Sequence, residues 1–203
     1  MDWQRLDRKA TEALIQKAGS ASVLFSAQTS EARRATLPFL DNYALYRLTN
    51  YAALPMISLD YLVNENTPQN GSAVFYLDGS TTPILHALRN DTFNLSEETV
   101  IPYVNFFYKN APDPEGDIYV IEDLESLVFF DLLDMEQQGQ LRNNFTAPQI
   151  IKHSDGSIEV KACLVYQGSL VKGDVFVSKD GTVRINNIYM MIRSTPAYHK
   201  MDH

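Results

Sequence analysis

The sequence predicts an α+β fold of antiparallel sheets with helices packed on one face, and three observations carry that prediction. Across residues 158–167, Ile158, Val160, Ala162, Leu164 and Tyr166 alternate with Glu159, Lys161, Cys163, Val165 and Gln167, the period of two of a strand covered on one face. Asp155-Gly156, Gly168-Ser169 and Asp180-Gly181 supply tight-turn chemistry on either side of it, so 149–153, 158–167, 170–177 and 183–191 form a meander of four antiparallel strands. Upstream, Ser96 followed by Glu97 and Glu98 starts a helix, because a serine oxygen accepts from orphan amides while the carboxylates face the positive helix end.

Taken in order, Asp2 caps a predicted first helix reaching Ala18, with Trp3, Leu6, Ala10, Ala13 and Leu14 at helical spacing and Gly19 as its stop. Residues 20–27 predict a short strand, and Ser30 caps a second short helix ended by Pro38. Three β-like runs follow at 43–51, 56–63 and 72–77, separated by Leu54-Pro55 and by a loop containing Asn64, Asn66, Pro68, Asn70 and Gly71. Asp78-Gly79 closes the last of them. Within the helix from Ser96, Val100, Val104, Phe107 and Tyr108 make an apolar stripe, and Pro102 predicts a bend or a delayed start. Residues 118–121 read as a strand and 127–141 as a helix, although Phe129 and Phe130 also suit a strand. The boundary falls near Thr92. It separates 1–92, an N-terminal helix plus antiparallel sheet, from 93–192, a helix plus meander, with 193–203 a flexible tail. A helix across four meandering strands suggests a cystatin-like or nuclear-transport-factor-like arrangement, and both host unrelated functions.

A chain of 203 residues with 45% hydrophobic and 21% charged residues can bury a real core without disulfides. The net charge of −8 repels phosphate backbones, which argues against nucleic acid as a partner. Arg33, Arg34 and Arg47 are the one hint of a basic patch and read as solvated face residues. No N-terminal apolar run suits a signal peptide and none is long enough to span a bilayer, so a cytoplasmic protein with no membrane partner is expected. Cys163, the sole cysteine, excludes an internal disulfide and reads as a small strand residue.

The chemistry-bearing candidates are few. Asp113, Glu115 and Asp117 alternate like the first ligands of a calcium loop, but Ile118 and Leu124 occupy the positions of its glycine and closing glutamate, so a solvated acidic loop is the reading and no metal is assigned. His199 and His203 have helical ligand spacing at a chain end, and His153 flanks a turn. His86, just after Pro83, and Tyr76 are candidates for a pocket rim. Asp60, Asp78 and Asp174 are acids whose mutual distance decides whether any of them pair. No nucleophile elbow, Walker loop or dinucleotide fingerprint occurs, and no cofactor is called for. Tyr43, Tyr46, Tyr51, Tyr61 and Tyr76 crowd the first sheet. Core packing is their default, and joint exposure would make them an interaction surface.

The run Phe75, Tyr76, Leu77, Asp78, Gly79 with Thr82, Pro83, Ile84, His86, Ala87 and Leu88, then Leu95 to Val100, Phe106, Phe107, Gly168, Ser169, Leu170 and the Asp180-Gly181 hairpin, resembles a group of uncharacterised bacterial proteins over residues 72–191. That resemblance implies a bacterial origin and a fold, and no activity. The leading functional reading is therefore a non-enzymatic protein-interaction module of a bacterial cytosol, whose acidic face at Asp113, Glu115 and Asp117 meets a basic protein partner. The alternative is a small-molecule binder or enzyme with a pocket between curved sheet and helix, rimmed by His86 and Tyr76. Exposed hairpin edges leave a homodimer open.

Overall fold

Pairing between neighbouring runs decides the first half of the chain, and it overrides several local preferences. In the computed structural model, which describes residues 2–66, 74–124, 127 and 130–192, contacts divide the chain into two compact units, Met1–Asn94 and Leu95–His203. Both are α+β with antiparallel sheets. Among the described residues no helix is long and apolar enough to cross a membrane.

The first unit holds a five-stranded meander of β1 (Trp3–Arg5), β2 (Ser30–Thr36), β3 (Tyr43–Asn50), β4 (Ile57–Asn64) and β5 (Val74–Tyr76), in that spatial order. Four sequence expectations give way here. Trp3–Arg5 is an edge strand rather than the start of a helix, because it pairs with β2 at Trp3↔Ala35, Gln4↔Arg34 and Arg5↔Arg33. The helix α1 (Arg8–Ala18) is capped by Asp7, whose carboxylate accepts from the Ala10 amide at 2.7 Å, and not by Asp2. Residues 20–27 form a 3-10 turn, Gly19–Ser22, and further turns instead of a strand. The helix expected over 30–38 is instead strand β2 over Ser30–Thr36, rich in helix-forming Ala and Arg, held by a full antiparallel ladder to β3 and by three pairs to β1.

One face of this sheet packs against α1 and the turns after it, through Leu14, Phe25, Ala32, Leu48, Tyr61 and Val63. Tyr61 is fully buried, and its hydroxyl donates to the Ala21 carbonyl at 2.8 Å. On the same side Arg34 donates through Nε and Nη2 to Glu65, which also accepts from the Tyr46 hydroxyl. Arg34 holds the Glu65 carboxyl below its ordinary 4.5, and burial together with that carboxylate pushes the Tyr46 phenol up to about 12. A further helix, α2 (Thr82–Arg89), was not expected. Pro83 sits in its first turn, where the missing amide costs nothing, and Pro83, Ile84, Ala87 and Leu88 bury one stripe beside β4 and β5. The run at 72–77 yields β5, and residues 72 and 73 lie outside the described residues.

In the second unit α3 (Val100–Asn110) starts later than Ser96, after a turn in which the Ser96 amide donates to Thr99 Oγ1 at 2.8 Å. Pro102 then lies in the first helical turn, where it removes no helical bond. The expected meander is present as β7 (Gln149–Lys152), β8 (Ile158–Tyr166), β9 (Ser169–Val177) and β10 (Val183–Ile192). A short strand β6 (Ile118–Val120) joins it, since β7 pairs the first half of β8 and β6 the second half. Residues 127–141 are not one helix. Among the described residues there is a 3-10 turn, Phe130–Leu132, and then α4 (Met135–Asn144), begun by a capping box in which Asp134 and Gln137 satisfy each other's amides. Leu133 and Leu141 cover Cys163, Val165 and Leu170 on one face of the meander, while Ile158, Val160, Ala162 and Leu164 are buried on the other. The tail assigned to 193–203, with its His199 and His203 pair, lies outside the described residues.

Two outcomes follow for stability. Asp7→Ala is expected to cost about 1 kcal/mol in urea unfolding and Asp2→Ala close to nothing, the reverse of the order expected if Asp2 began the helix. Because the Glu65 carboxyl titrates below its unfolded value, the stability it confers is complete above pH 4.5 and is lost as pH falls through the lowered value. The difference in urea midpoint between the native chain and Glu65→Gln should therefore be level at neutral pH and close on acidification below 4.5.

Candidate functional site

Side chains at registered positions of adjacent strands share a face, so the ladder of the first unit can be read as rows across the sheet. On the face opposite α1, one row runs Arg5↔Arg33↔Arg47↔Asp60 across β1 to β4. Like charges placed directly opposite one another destabilise a sheet, yet three guanidiniums stand here side by side in a chain of net charge −8. Two acids offset them. Glu31 receives Arg5 Nη2 at 2.8 Å and Arg33 Nε at 2.7 Å, and Asp60 receives Arg47 through Nε and Nη2, each at 2.7 Å. The acids are the inner members, Glu31 being 12% exposed, and the arginines the outer ones, Arg33 being 51% exposed. Hydrogen bonding to Glu31 raises the Arg33 pKa and bonding to Asp60 raises that of Arg47, so the row stays cationic.

The rows on either side complete the surface. Toward the core, Trp3 lies under the Arg47 guanidinium, whose carbon is 5.0 Å from the ring centroid. Toward the sheet end, Thr49 Oγ1 and Ser58 Oγ share a hydrogen bond of 2.7 Å. Trp3, Arg33, Arg47, Thr49, Tyr51 and Met56 line a cleft of about 180 Å³. The loop joining β3 to β4 then forms an apolar lip in which Tyr51 and Met56 are more than half exposed and Leu54 is 98% exposed. Asn50 Nδ2 donates to the Leu24 carbonyl at 2.7 Å, which brings the exposed Val23 and Leu24 to the same end of the sheet.

The residues singled out from sequence are placed elsewhere. Tyr76 sits beside Tyr61 on the α1 side of β5, whereas the His86 ring stands edge-on to Phe75, 5.9 Å away, on the other side. Successive residues of a strand point to opposite faces, so Tyr76 and His86 do not share a rim. Asp113 is spent on its own loop, accepting from the Glu115 amide at 2.9 Å and from Gln167 Nε2 at 3.1 Å, while Glu115 and Asp117 are exposed. Among the described residues no group of three or more His, Cys, Asp or Glu is arranged to hold a metal. Asp60, Asp78 and Asp174 each have a separate partner, in Arg47, Ser80 and Asn187. His153 Nε2 lies 3.3 Å from Glu159, and Cys163 is buried. A larger concavity of about 420 Å³ in the second unit is lined by turn residues, but Asp155 accepts from Ser157 and Asp180 from Thr182 and Ser178 to close the turns themselves.

Of the three arginines that hinted at a basic patch, Arg33 and Arg47 belong to the row and Arg34 faces the other way. Arg5 was missed because its segment reads as a helix. With 30–36 and 3–5 both taken as helical, the register that assembles the row is invisible. No protein-family model, curated protein or solved structure matches this chain. Fold and site together define an α+β protein that presents an arginine-lined, aromatic-lipped sheet face.

Asp60→Asn tests the balance of the row. It leaves Arg47 facing Arg33 with one acid fewer, and is expected to lower stability by roughly 1 kcal/mol at low salt, with the loss shrinking as salt screens the repulsion. A urea midpoint unchanged at low salt would mean that the pair contributes nothing.

Proposed function

We propose that the chain is a non-enzymatic protein-interaction module and that its partner seats on the exposed end of the first unit's sheet. One observation carries this reading: a registered row of arginines adjoins the exposed apolar lip of Tyr51, Leu54 and Met56. Arg, Trp, Tyr and Met are the residues enriched at interface centres, and exposed apolar groups gathered at one place mark contact sites. Burying such a lip removes apolar area from water, while the arginines set orientation by charge. The acidic loop at Asp113, Glu115 and Asp117 offers less, since Asp113 already serves its own turn. The resemblance of residues 72–191 to uncharacterised bacterial proteins supports placing this module in a bacterial cytosol.

Photo-cross-linking tests the reading. A photoreactive amino acid is placed at Leu54, and a control at Glu98, an exposed residue of the second unit. In cells of the native organism, position 54 should give a discrete adduct with one other protein and position 98 none, and Arg33→Gln in the same chain should reduce the adduct. Equal labelling from both positions, or an adduct formed only with a second copy of this chain, would overturn it.

A further inference from the structure

We infer that the arginine row is a carboxylate-binding site that receives an extended acidic segment of the partner; this rests on the interaction reading above and specifies its chemistry. The bonding pattern of the guanidiniums is the first argument. Arg33 meets Glu31 through Nε, and Arg47 meets Asp60 through Nε and Nη2, so each turns its ε side to an inner acid. Arg33 also interacts with the Tyr51 hydroxyl, which ties the row to the lip of the cleft. A guanidinium anchored in this way donates from a fixed direction and loses little freedom on meeting a second carboxylate.

Charge and dimension narrow the ligand. Three arginines against two acids leave a local charge of +1, enough to attract a carboxylate and too little to hold a polyphosphate within an acidic chain. Strands lie about 4.8 Å apart, so Arg5, Arg33 and Arg47 span roughly 10 Å across the sheet. Alternate side chains of an extended segment are about 7 Å apart, which lets two acids at i and i+2 meet neighbouring arginines. The next residue on that side, i+4, then reaches the lip of Tyr51 and Met56, and an apolar side chain suits it. The Thr49 and Ser58 hydroxyls floor the cleft between them. An acidic segment interrupted by apolar residues fits every part of the surface, whereas a basic one would meet three guanidiniums.

The molecule carries its own reporter, since Trp3 is the sole tryptophan and lies under Arg47. The full chain is titrated with a short synthetic peptide bearing Glu at i and i+2 and Leu at i+4, with the same peptide bearing Lys for Glu, and with inorganic phosphate, while tryptophan emission is followed. The Glu peptide should shift the emission saturably, weaken as salt is raised, and bind roughly tenfold less tightly to Arg33→Gln. The Lys peptide and phosphate should leave the emission unchanged. Arg5→Gln, at the most exposed arginine of the row, is a second variant should Arg33→Gln alter the circular dichroism spectrum. No response to the Glu peptide, equal binding by the variants, or equal binding of phosphate would overturn the inference. Failure here with the Leu54 adduct intact would leave an interaction module that uses other chemistry. Success here without that adduct would leave an acid-binding surface and remove the protein partner.

Discussion

The antiparallel pairing of Ser30–Thr36 with Tyr43–Asn50 is the constraint on which the first unit depends. In an antiparallel ladder a slip of one residue turns every side chain to the other face. The observed register sends Ala32 and Leu48 under α1 and turns Arg33, Arg47 and Glu31 outward together. It also separates two adjacent arginines completely. Arg34 is drawn to Glu65 and Tyr46 on the α1 side, while Arg33 joins the outer row. The same pairing creates a place for β1, which adds Arg5 to that row and brings Trp3 beneath Arg47.

Magnitudes explain why such a row can persist. A cross-strand pair changes stability by roughly 0.2–1 kcal/mol, whereas burying one large apolar side chain contributes about 1.5–3 kcal/mol. Leu48, Tyr61 and Val63 are buried in the same strands on the α1 face, so the repulsion among guanidiniums is small beside the core beneath it. Glu31 and Asp60 reduce it further by pairing with the arginines of the row. A sheet held by its apolar face can therefore carry an unfavourable charge pattern on the other, and nothing in folding requires that pattern.

Legibility in the sequence followed the strength of the local pattern. The meander from 149 to 192 was readable because period-two alternation, turn glycines and strand lengths agreed, and the structure adds only β6 along the edge already occupied by β7. Cys163 and Val165, read as the open face of β8, are buried by Leu133 and Leu141 because a second layer folds over that half. In the N-terminal third the helix ending at Ala18 and the runs that become β3 and β4 were readable, but β1 and β2 were not. Ser-Glu-Ala-Arg-Arg-Ala has the composition of a helix, and three residues of β1 are too few to show any period, so pairing energy decided both. The site suffered most, since a row across strands exists only in the register. Arg33 and Arg47 could be noted as basic, but not as neighbours.

An acidic chain with one arginine row is more selective than a uniformly basic surface would be. The acidic partner segment proposed above would be repelled by most of a molecule carrying −8 and attracted where guanidiniums outnumber acids. Wrong orientations are therefore disfavoured by the same charges that make the right one attractive, which is how charge contributes specificity more than affinity. The apolar lip supplies the complementary part. Tyr51, Leu54 and Met56 would gain by leaving water whatever the partner's charge, and a segment steered by the row would be brought up against them. On the proposed reading charge would select the approach and apolar contact would retain the partner, and the two meet where Arg33 and Arg47 border Tyr51 and Met56.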